Sequence, residues 1–359
     1  MNLSDCFKGK RVFLTGHTGF KGSWLLTWLH QLGAVVKGYA LAPQTSRDLY
    51  LSINGDAMCE SVIADIRDAA KLKAEIINFQ PDFVFHLAAQ PLVRLSYEIS
   101  LDTFAINVMG TAHVLEALRY LEKPCVAVMI TTDKVYHNKE QHYFYKETDR
   151  LGGYDPYSAS KASAELIIDS YRKSFFNPAK YGEHGKSISV GRAGNVIGGG
   201  DWAVDRIIPD IVRALIAGQP VLVRNPAAVR PWQHVLEPIS GYLTLAAQQV
   251  RHPIDFADAF NFGPYTSDNL TVEAVVKTAI LCWGEGTIEI PAQTEVPHEA
   301  RLLQLDITKA CESLQWQPQF LAEKAIKFTV EWYKEYIAEP TNALTNTIEQ
   351  INYFNNNQK

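Results

Sequence analysis

The sequence predicts an α/β protein: a doubly wound parallel sheet followed by a smaller α/β lobe. Three observations predict it. Short apolar runs alternate with helical patterns through the first half of the chain, the signature of crossover units. These runs are apolar throughout rather than at every second residue, as in CVAVMI, so both faces of each strand are covered. After Asn195 the rhythm changes, and Gly and Pro become frequent in IGGGDW, RNPAAVRPW and NFGPYTSDN.

Val12 to Leu14 reads as the first strand, followed by a loop and a helix around Ser23–Leu32. Val35 to Tyr39 and Ser61 to Ala64 read as the next two strands, and a helix spans Asp68 to Phe79. Phe83 to His86 is a fourth strand, leading into a long helix over Thr103–Leu121. Val126 to Ile130 and Ile188 to Arg192 complete six strands, with a helix opening near Pro156 between them. Beyond Asn195, helices near Ile207–Ala217, Ile239–Gln249 and Thr271–Cys282 are separated by short strands such as Val221–Val223. The expected division is a first unit at 1–195, to which segments at about 233–265 return, and a second at 196–340. A terminal helix and solvated tail fill 341–359.

The segment TGHTGFKGSW links the first strand to the first helix and spaces Gly16, Gly19 and Gly22 three residues apart. In a Rossmann-type loop the first glycine permits a tight turn. The second lets a pyrophosphate approach the backbone, and the third lets the helix pack close to the sheet. The helix N-terminus then directs N–H groups at the phosphate. A dinucleotide is therefore the expected cofactor, with Thr18 and Phe20 beside it; His17 either touches it or is exposed on the loop, and Lys21 either adds charge to the phosphate site or is solvated. The second strand ends in GYALAP, without the carboxylate that usually holds the ribose of NAD, and Arg47 stands nearby, so NAD and NADP both remain open there. Asp65 and Ile66 in ADIRD are placed to hold the adenine, and Leu87, Ala88 and Ala89 in HLAAQ leave room for the cofactor backbone.

YSASK sets Tyr157 and Lys161 one helical turn apart on one face. An ammonium beside a phenol favours the phenolate, and such a tyrosine can take a hydroxyl proton as hydride leaves the same carbon. Thr132, at the end of the fifth strand, is placed to hydrogen-bond the same substrate oxygen or to cap the strand.

TGHTGFKG, DIRD, HLAAQ, INVMGT and YSASK together resemble the extended short-chain dehydrogenase/reductase family, and GRAGNVIGGGDW, RPWQHV and LQWQP resemble its substrate lobe. The resemblance covers nearly the whole chain. TGHTGFKGSW with TTDKVY resembles the branch that dehydrates CDP-glucose. The implied cofactor is NAD, tightly bound and recycled, and the implied substrate is CDP-glucose, bound in the lobe at 196–340. The resemblance implies C4 oxidation, elimination across C5–C6 and hydride return to C6, a step toward deoxysugars of surface polysaccharide. A 4-epimerase, or a dehydratase acting on another sugar nucleotide, is the alternative outcome on the same fold. The Asp133-Lys134 pair speaks for dehydration, because that reaction needs an acid and a base near C5 and C6. Asp133 matches the acid; Lys134 stands where relatives carry a glutamate base, either as a neutral amine that takes the proton or as a cation that steadies the enolate. By the same resemblance Asn195 contacts substrate, Arg230 and Arg301 clamp the diphosphate with Arg206 as a weaker third, and Asn107 lies near the lysine and its water or bonds its own helix. A homodimer or dimer of dimers, built on the Thr103–Leu121 helix and the helix near Pro156, is also a family expectation.

The composition limits other functions. The chain has 359 residues, 47% hydrophobic and 20% charged, with net charge -5 and no basic tract, so a nucleic-acid partner is not expected. No apolar run approaches a membrane span and MNLSDCFKGK has no signal core, so the expected compartment is the cytoplasm, with no membrane partner. The five cysteines are scattered without CxxC spacing, and no metal site is expected.

Overall fold

The computed structural model describes residues 3–291 and 303–357. In chain order the first strands are β1 (Arg11–Thr15), β2 (Val35–Ala40), β3 (Glu60–Ile63), β4 (Phe83–His86) and β5 (Cys125–Ile130). Next come β6 (Phe144–Tyr145), β7 (Lys186–Ala193), β8 (Val196–Ile197), β9 (Val221–Leu222) and β10 (Val229–Arg230). The last are β11 (Gln233–His234), β12 (Ala259–Phe262), β13 (Leu270–Thr271), β14 (Ile288–Glu289) and β15 (Gln304–Leu305).

Seven of these form one sheet in the order β12-β7-β5-β4-β1-β2-β3. Every pairing in it is parallel. The order reverses at β1, which lies between β2 and β4, and ligands of such sheets bind outside the carboxyl ends of the strands at that point. Alternate residues of each strand enter different cores. Val12, Leu14, Phe83, Phe85, Val126 and Val128 pack on one face with Trp24 and Leu243. Phe13, Val84, Ala127, Met129, Leu72, Val114 and Ile168 pack on the other. Burial on both faces explains the continuous apolar runs.

The seventh strand, β12, was not expected from the sequence as a strand. AFNF is only four residues long, too short for a period to show, and it follows a turn rich in Asp. It arrives after the Leu236–Arg251 helix and pairs with β7, so the sheet is completed by chain that has already passed through β8 to β11. The remaining strands form two-stranded ribbons: β8 with β11, β6 with β15 and β9 with β14 in parallel, and β10 with β13 antiparallel.

The long helix expected over Thr103–Leu121 is one rod with a fault. It is α-helical over Ser100–Phe104 and Gly110–Arg119, with a π turn over Ala105–Met109 between them. A π turn widens the helix by one residue and turns its side chains. Here it aims Asn107 into the interior, which a regular 3.6-residue pattern does not reveal. The expected terminal helix is Ala343–Asn356, and it packs on the core. Phe354 lies edge-on to Trp28 at 5.8 Å, and the Trp332 indole donates to the Thr347 hydroxyl at 3.1 Å.

Candidate active site

The glycine loop has the shape the sequence implies. Gly16 has φ +76°, and a Cβ there would lie 2.8 Å from the Ala88 nitrogen. A Cβ on Gly22 would lie 2.0 Å from the Gly16 carbonyl oxygen, so helix and loop could not close. Gly19 is open by contrast: the nearest atom to its Cβ position is the Gly16 oxygen at 3.4 Å. The helix begins at Phe20, earlier than the expected Ser23, and no side chain caps its N-terminus at Gly19. An open glycine before an uncapped twelve-residue helix is a fitting cradle for the pyrophosphate of a dinucleotide. Thr15 braces this end, its hydroxyl accepting from the Leu87 and Ala88 nitrogens at 3.1 and 3.2 Å. Thr18 donates to the Leu41 carbonyl at 2.8 Å. Ala89 is only half-buried after them.

Several of the side chains expected beside the cofactor are held by partners within the protein. The His17 ring is buried. It fills the space above Gly38, meets Tyr50 edge-on and bonds the Ser61 hydroxyl at 2.8 Å, and burial pushes its pKa down to about 4. Arg47 stacks on Trp202 at 5.4 Å. The Asp65 carboxylate is engaged by the Arg67 guanidinium at 2.7 Å, which holds its pKa below the usual range. Ile66 is buried against Gly110, and its carbonyl bonds the His113 ring at 3.1 Å. Lys21 turns away from the loop toward the reacting end. Its ammonium is 5.8 Å from the Tyr242 ring, and burial, then the neighbouring Arg206 and Lys161, bring its pKa down to about 7.

The strand-end and helix residues converge. Thr132 donates to the Asp133 carboxylate at 2.9 Å and accepts weakly from the Lys134 nitrogen at 3.4 Å, so it both caps the turn and touches the acid. Burial raises the Asp133 pKa, opposed by Lys134, Thr132 and Arg230. Gly194 makes room for that carboxylate: a Cβ there would sit 2.7 Å from Oδ2. Tyr157 shares the cleft. Burial pushes its pKa up to about 12, while a hydrogen bond with Thr132 pulls the other way. This corrects the expectation that Lys161 lowers it. The Lys161 ammonium donates instead to the Ile130 carbonyl at 3.0 Å, and burial reduces its own pKa to about 8. In a dry site the cost of the phenolate outweighs the lysine's field.

The Asn107 side chain does not bond its own helix, and one of its partners, Ser160, directly precedes Lys161. The Asn107 amide accepts from the Gln90 nitrogen at 2.9 Å and donates to the Gln90 carbonyl and the Ser160 hydroxyl, so it ties the loop after β4 to the Tyr157 helix. Arg206 pairs with Asp201 at 2.8 Å and bears electrostatically on Tyr157. Arg230 acts on Asp133 from β10. Asn195 closes β7, its carbonyl accepting from the Gln233 nitrogen at 3.1 Å. A depression lined by Gly194, Pro231, Gln233, Gly263 and Tyr265 opens beside it. Arg301 lies outside the described residues. Sequence reasoning missed Glu165, four residues after Lys161 on the same helix face, although continuing the four-residue spacing one more step would have found it.

The open parallel sheet, glycine cradle and Tyr157–Lys161 helix beside Thr132 define an extended short-chain dehydrogenase/reductase. The profile of the GDP-mannose 4,6 dehydratase family matches residues 13–329, and the chain belongs to that family. It is 48% identical over 331 residues to a CDP-glucose 4,6-dehydratase of Salmonella typhimurium, covering 92% of each chain. It is 26% identical to a CDP-paratose 2-epimerase of Salmonella typhi, over 90% of this chain and 98% of that one. Among solved structures, DesIV, a dTDP-glucose 4,6-dehydratase of Streptomyces venezuelae with NAD and TYD bound, superposes with TM-score 0.77 at 24% identity over 92% of this chain and 99% of that one. Among the described residues no helix is long and apolar enough to cross a membrane.

Proposed function

We propose that this chain converts CDP-D-glucose to CDP-4-dehydro-6-deoxy-D-glucose and water, using bound NAD. One observation carries the reading: Asp133 and Tyr157 share a single buried cleft, with the Thr132 hydroxyl bonded to both. The 48% identity to a CDP-glucose 4,6-dehydratase supports the substrate. Bound NAD supplies the hydride chemistry, a hydride being taken from C4 and given back at C6. Tyr157, with Thr132, binds the C4 hydroxyl and takes its proton. The C4 ketone then acidifies C5–H; Lys134 takes that proton and returns it to C5 as the hydride reaches C6. Asp133, whose pKa burial raises, gives its proton to the departing C6 hydroxyl, which leaves as water. Lys161, its ammonium held by the Ile130 carbonyl, contacts the cofactor beside Tyr157, and Arg206 and Arg230 hold the diphosphate.

In this reading residues 1–195 with about 233–265 carry the cofactor, and 196–340 the sugar nucleotide. The enzyme acts in the cytoplasm, toward deoxysugars of surface polysaccharide. Two copies associate through the exposed apolar side chains Leu101, Met109 and Leu166 on the π-turn rod and the Pro156–Ser174 helix, and Leu101→Glu with Leu166→Glu should yield monomers in sedimentation. The deciding experiment is turnover of CDP-, dTDP- and GDP-glucose side by side, with and without added NAD. A 4-keto-6-deoxy chromophore in alkali from CDP-glucose is expected. A C4-epimerised hexose, or no product from CDP-glucose, would overturn the reading.

A further inference from the structure

Directly behind the cleft lies a buried ion pair that no step above uses. Glu165 and Arg192 are 3% and 4% exposed. The Arg192 Nε donates to both Glu165 oxygens at 2.9 and 3.0 Å, and Nη2 adds a further bond, a planar fork that fixes both side chains in orientation. Each partner extends one more contact. The Thr131 hydroxyl donates to Glu165 Oε1 at 2.6 Å. Arg192 Nη1 donates to the Tyr136 hydroxyl at 2.6 Å and to the Glu147 carbonyl at 3.2 Å, and its guanidinium lies 4.9 Å above the Tyr136 ring. Tyr136 in turn donates to Asn261 on β12 at 2.7 Å.

The placement of these contacts along the chain gives them meaning. Thr131 immediately precedes Thr132-Asp133-Lys134, and Tyr136 follows one residue after Val135. The segment carrying the acid is therefore gripped on both sides by one ion pair. Glu165 belongs to the helix that carries Tyr157 and Lys161, one turn beyond the lysine. The pair thus couples the segment that performs elimination to the helix that performs oxidation. A buried ion pair adds little net stability over an apolar substitute, yet a bidentate one specifies a single geometry.

We propose that Glu165 and Arg192 are positioning residues that set Asp133 and Lys134 in register with Tyr157 for the elimination step. The inference rests on the dehydratase reading above. Removing either charge outright leaves its partner buried and unpaired and risks unfolding, so the test uses the two grips instead. Thr131→Val removes the bond to Glu165, and Tyr136→Phe removes the bond to Arg192, each leaving the ion pair intact. Both variants, and the pair combined, are assayed with CDP-glucose for kcat, KM, thermal midpoint and the absorbance of reduced nicotinamide during turnover.

The expected result is a kcat loss of about ten- to a hundredfold in the combined variant, the scale of a small misplacement of reacting groups. KM should stay within about twofold, the thermal midpoint should be nearly unchanged, and reduced cofactor should accumulate because oxidation at C4 outruns elimination. A combined variant with parental kcat would overturn the proposal. So would a kcat loss without accumulation of reduced cofactor, because oxidation is then impaired equally. If the unaltered chain forms no 4-keto product from CDP-glucose, the dehydratase reading itself fails, a result visible in the control before any variant is compared.

Discussion

Strands β5 and β7 share six registered pairs and are buried along their whole length, whereas the ribbon that carries Arg230 has two pairs, as does the ribbon that carries Gln233. The groups assigned to chemistry stand on the first kind of structure. Thr132 and Asp133 follow β5, and Tyr157 and Lys161 sit on a nineteen-residue helix packed against the same sheet. Of the arginines assigned to the diphosphate, Arg230 stands on the second kind, and Arg206 lies in the turn just before the Ile207–Ile216 helix. Near it, ion pairs tie the loop at 201–206 together and to the Val93–Glu98 helix: Arg206 with Asp201 at 2.8 Å and Arg94 with Asp205 at 2.7 Å. Regions with few ladder bonds open at lower free energy. The contrast teaches a division of labour: fixed geometry where protons and hydride move, and an adjustable grip where a nucleotide enters and leaves.

Four substitutions probe that contrast. Tyr157→Phe removes a proton acceptor from the fixed side and should lower kcat about 10²–10⁴-fold without shifting the thermal midpoint, as steady-state kinetics and calorimetry will read. Gly22→Ala attacks the fixed side's backbone, since the new methyl would meet the Gly16 oxygen at 2.0 Å. It should cost about 1–3 kcal/mol in denaturant titration and weaken retention of NAD, and an unchanged midpoint would show the cradle to be more pliable than the contrast holds. Arg230→Ala touches the adjustable side and should raise KM about tenfold while kcat stays within a few-fold. A loss confined to kcat would instead place Arg230 with the chemistry.

The smallest effect concerns the seam between the two regions. Glu237 begins the helix that leads from β11 back to the sheet, and one carboxylate oxygen accepts from the Gln319 and Phe320 nitrogens at 2.9 and 2.7 Å. Burial raises its pKa to about 8. The folded chain therefore binds a proton that the unfolded chain releases near pH 4.3, so this group's contribution to stability declines as pH rises from there toward 8 and is flat beyond. Glu237→Gln should remove that slope, with the gain in thermal midpoint over the parent largest above pH 8. A gain equal at pH 5 and pH 9 would contradict the assignment.

The sheet was legible because its strands announce themselves by unbroken apolar runs and its loops by glycine. Tyr157, Lys161, Thr132 and Asp133 were legible because motif spacing survives folding: four residues on a helix always share a face. What stayed hidden depends on distances that spacing does not carry. Whether Lys161 tunes Tyr157 depends on where its ammonium points, and it points to a carbonyl. The inward turn of His17 follows from the missing side chain of Gly38, twenty-one positions along. Asn107 depends on a π turn that leaves no mark in the apolar pattern. Arg192 lies on a strand read only as buried, and its partner Glu165 is far away in sequence.

The late arrival of β12 bears on how the chain is made. Until Phe262 has left the ribosome, the outer edge of β7 has no neighbour, and its backbone amides and carbonyls are exposed as a template for foreign strands. Synthesis from the N-terminus thus holds the cofactor half unfinished while the β8–β11 ribbon is being laid down. A fragment cut at the apparent boundary after Asn195 would keep that sticky edge permanently and should aggregate, whereas the intact polypeptide seals it with its own later residues.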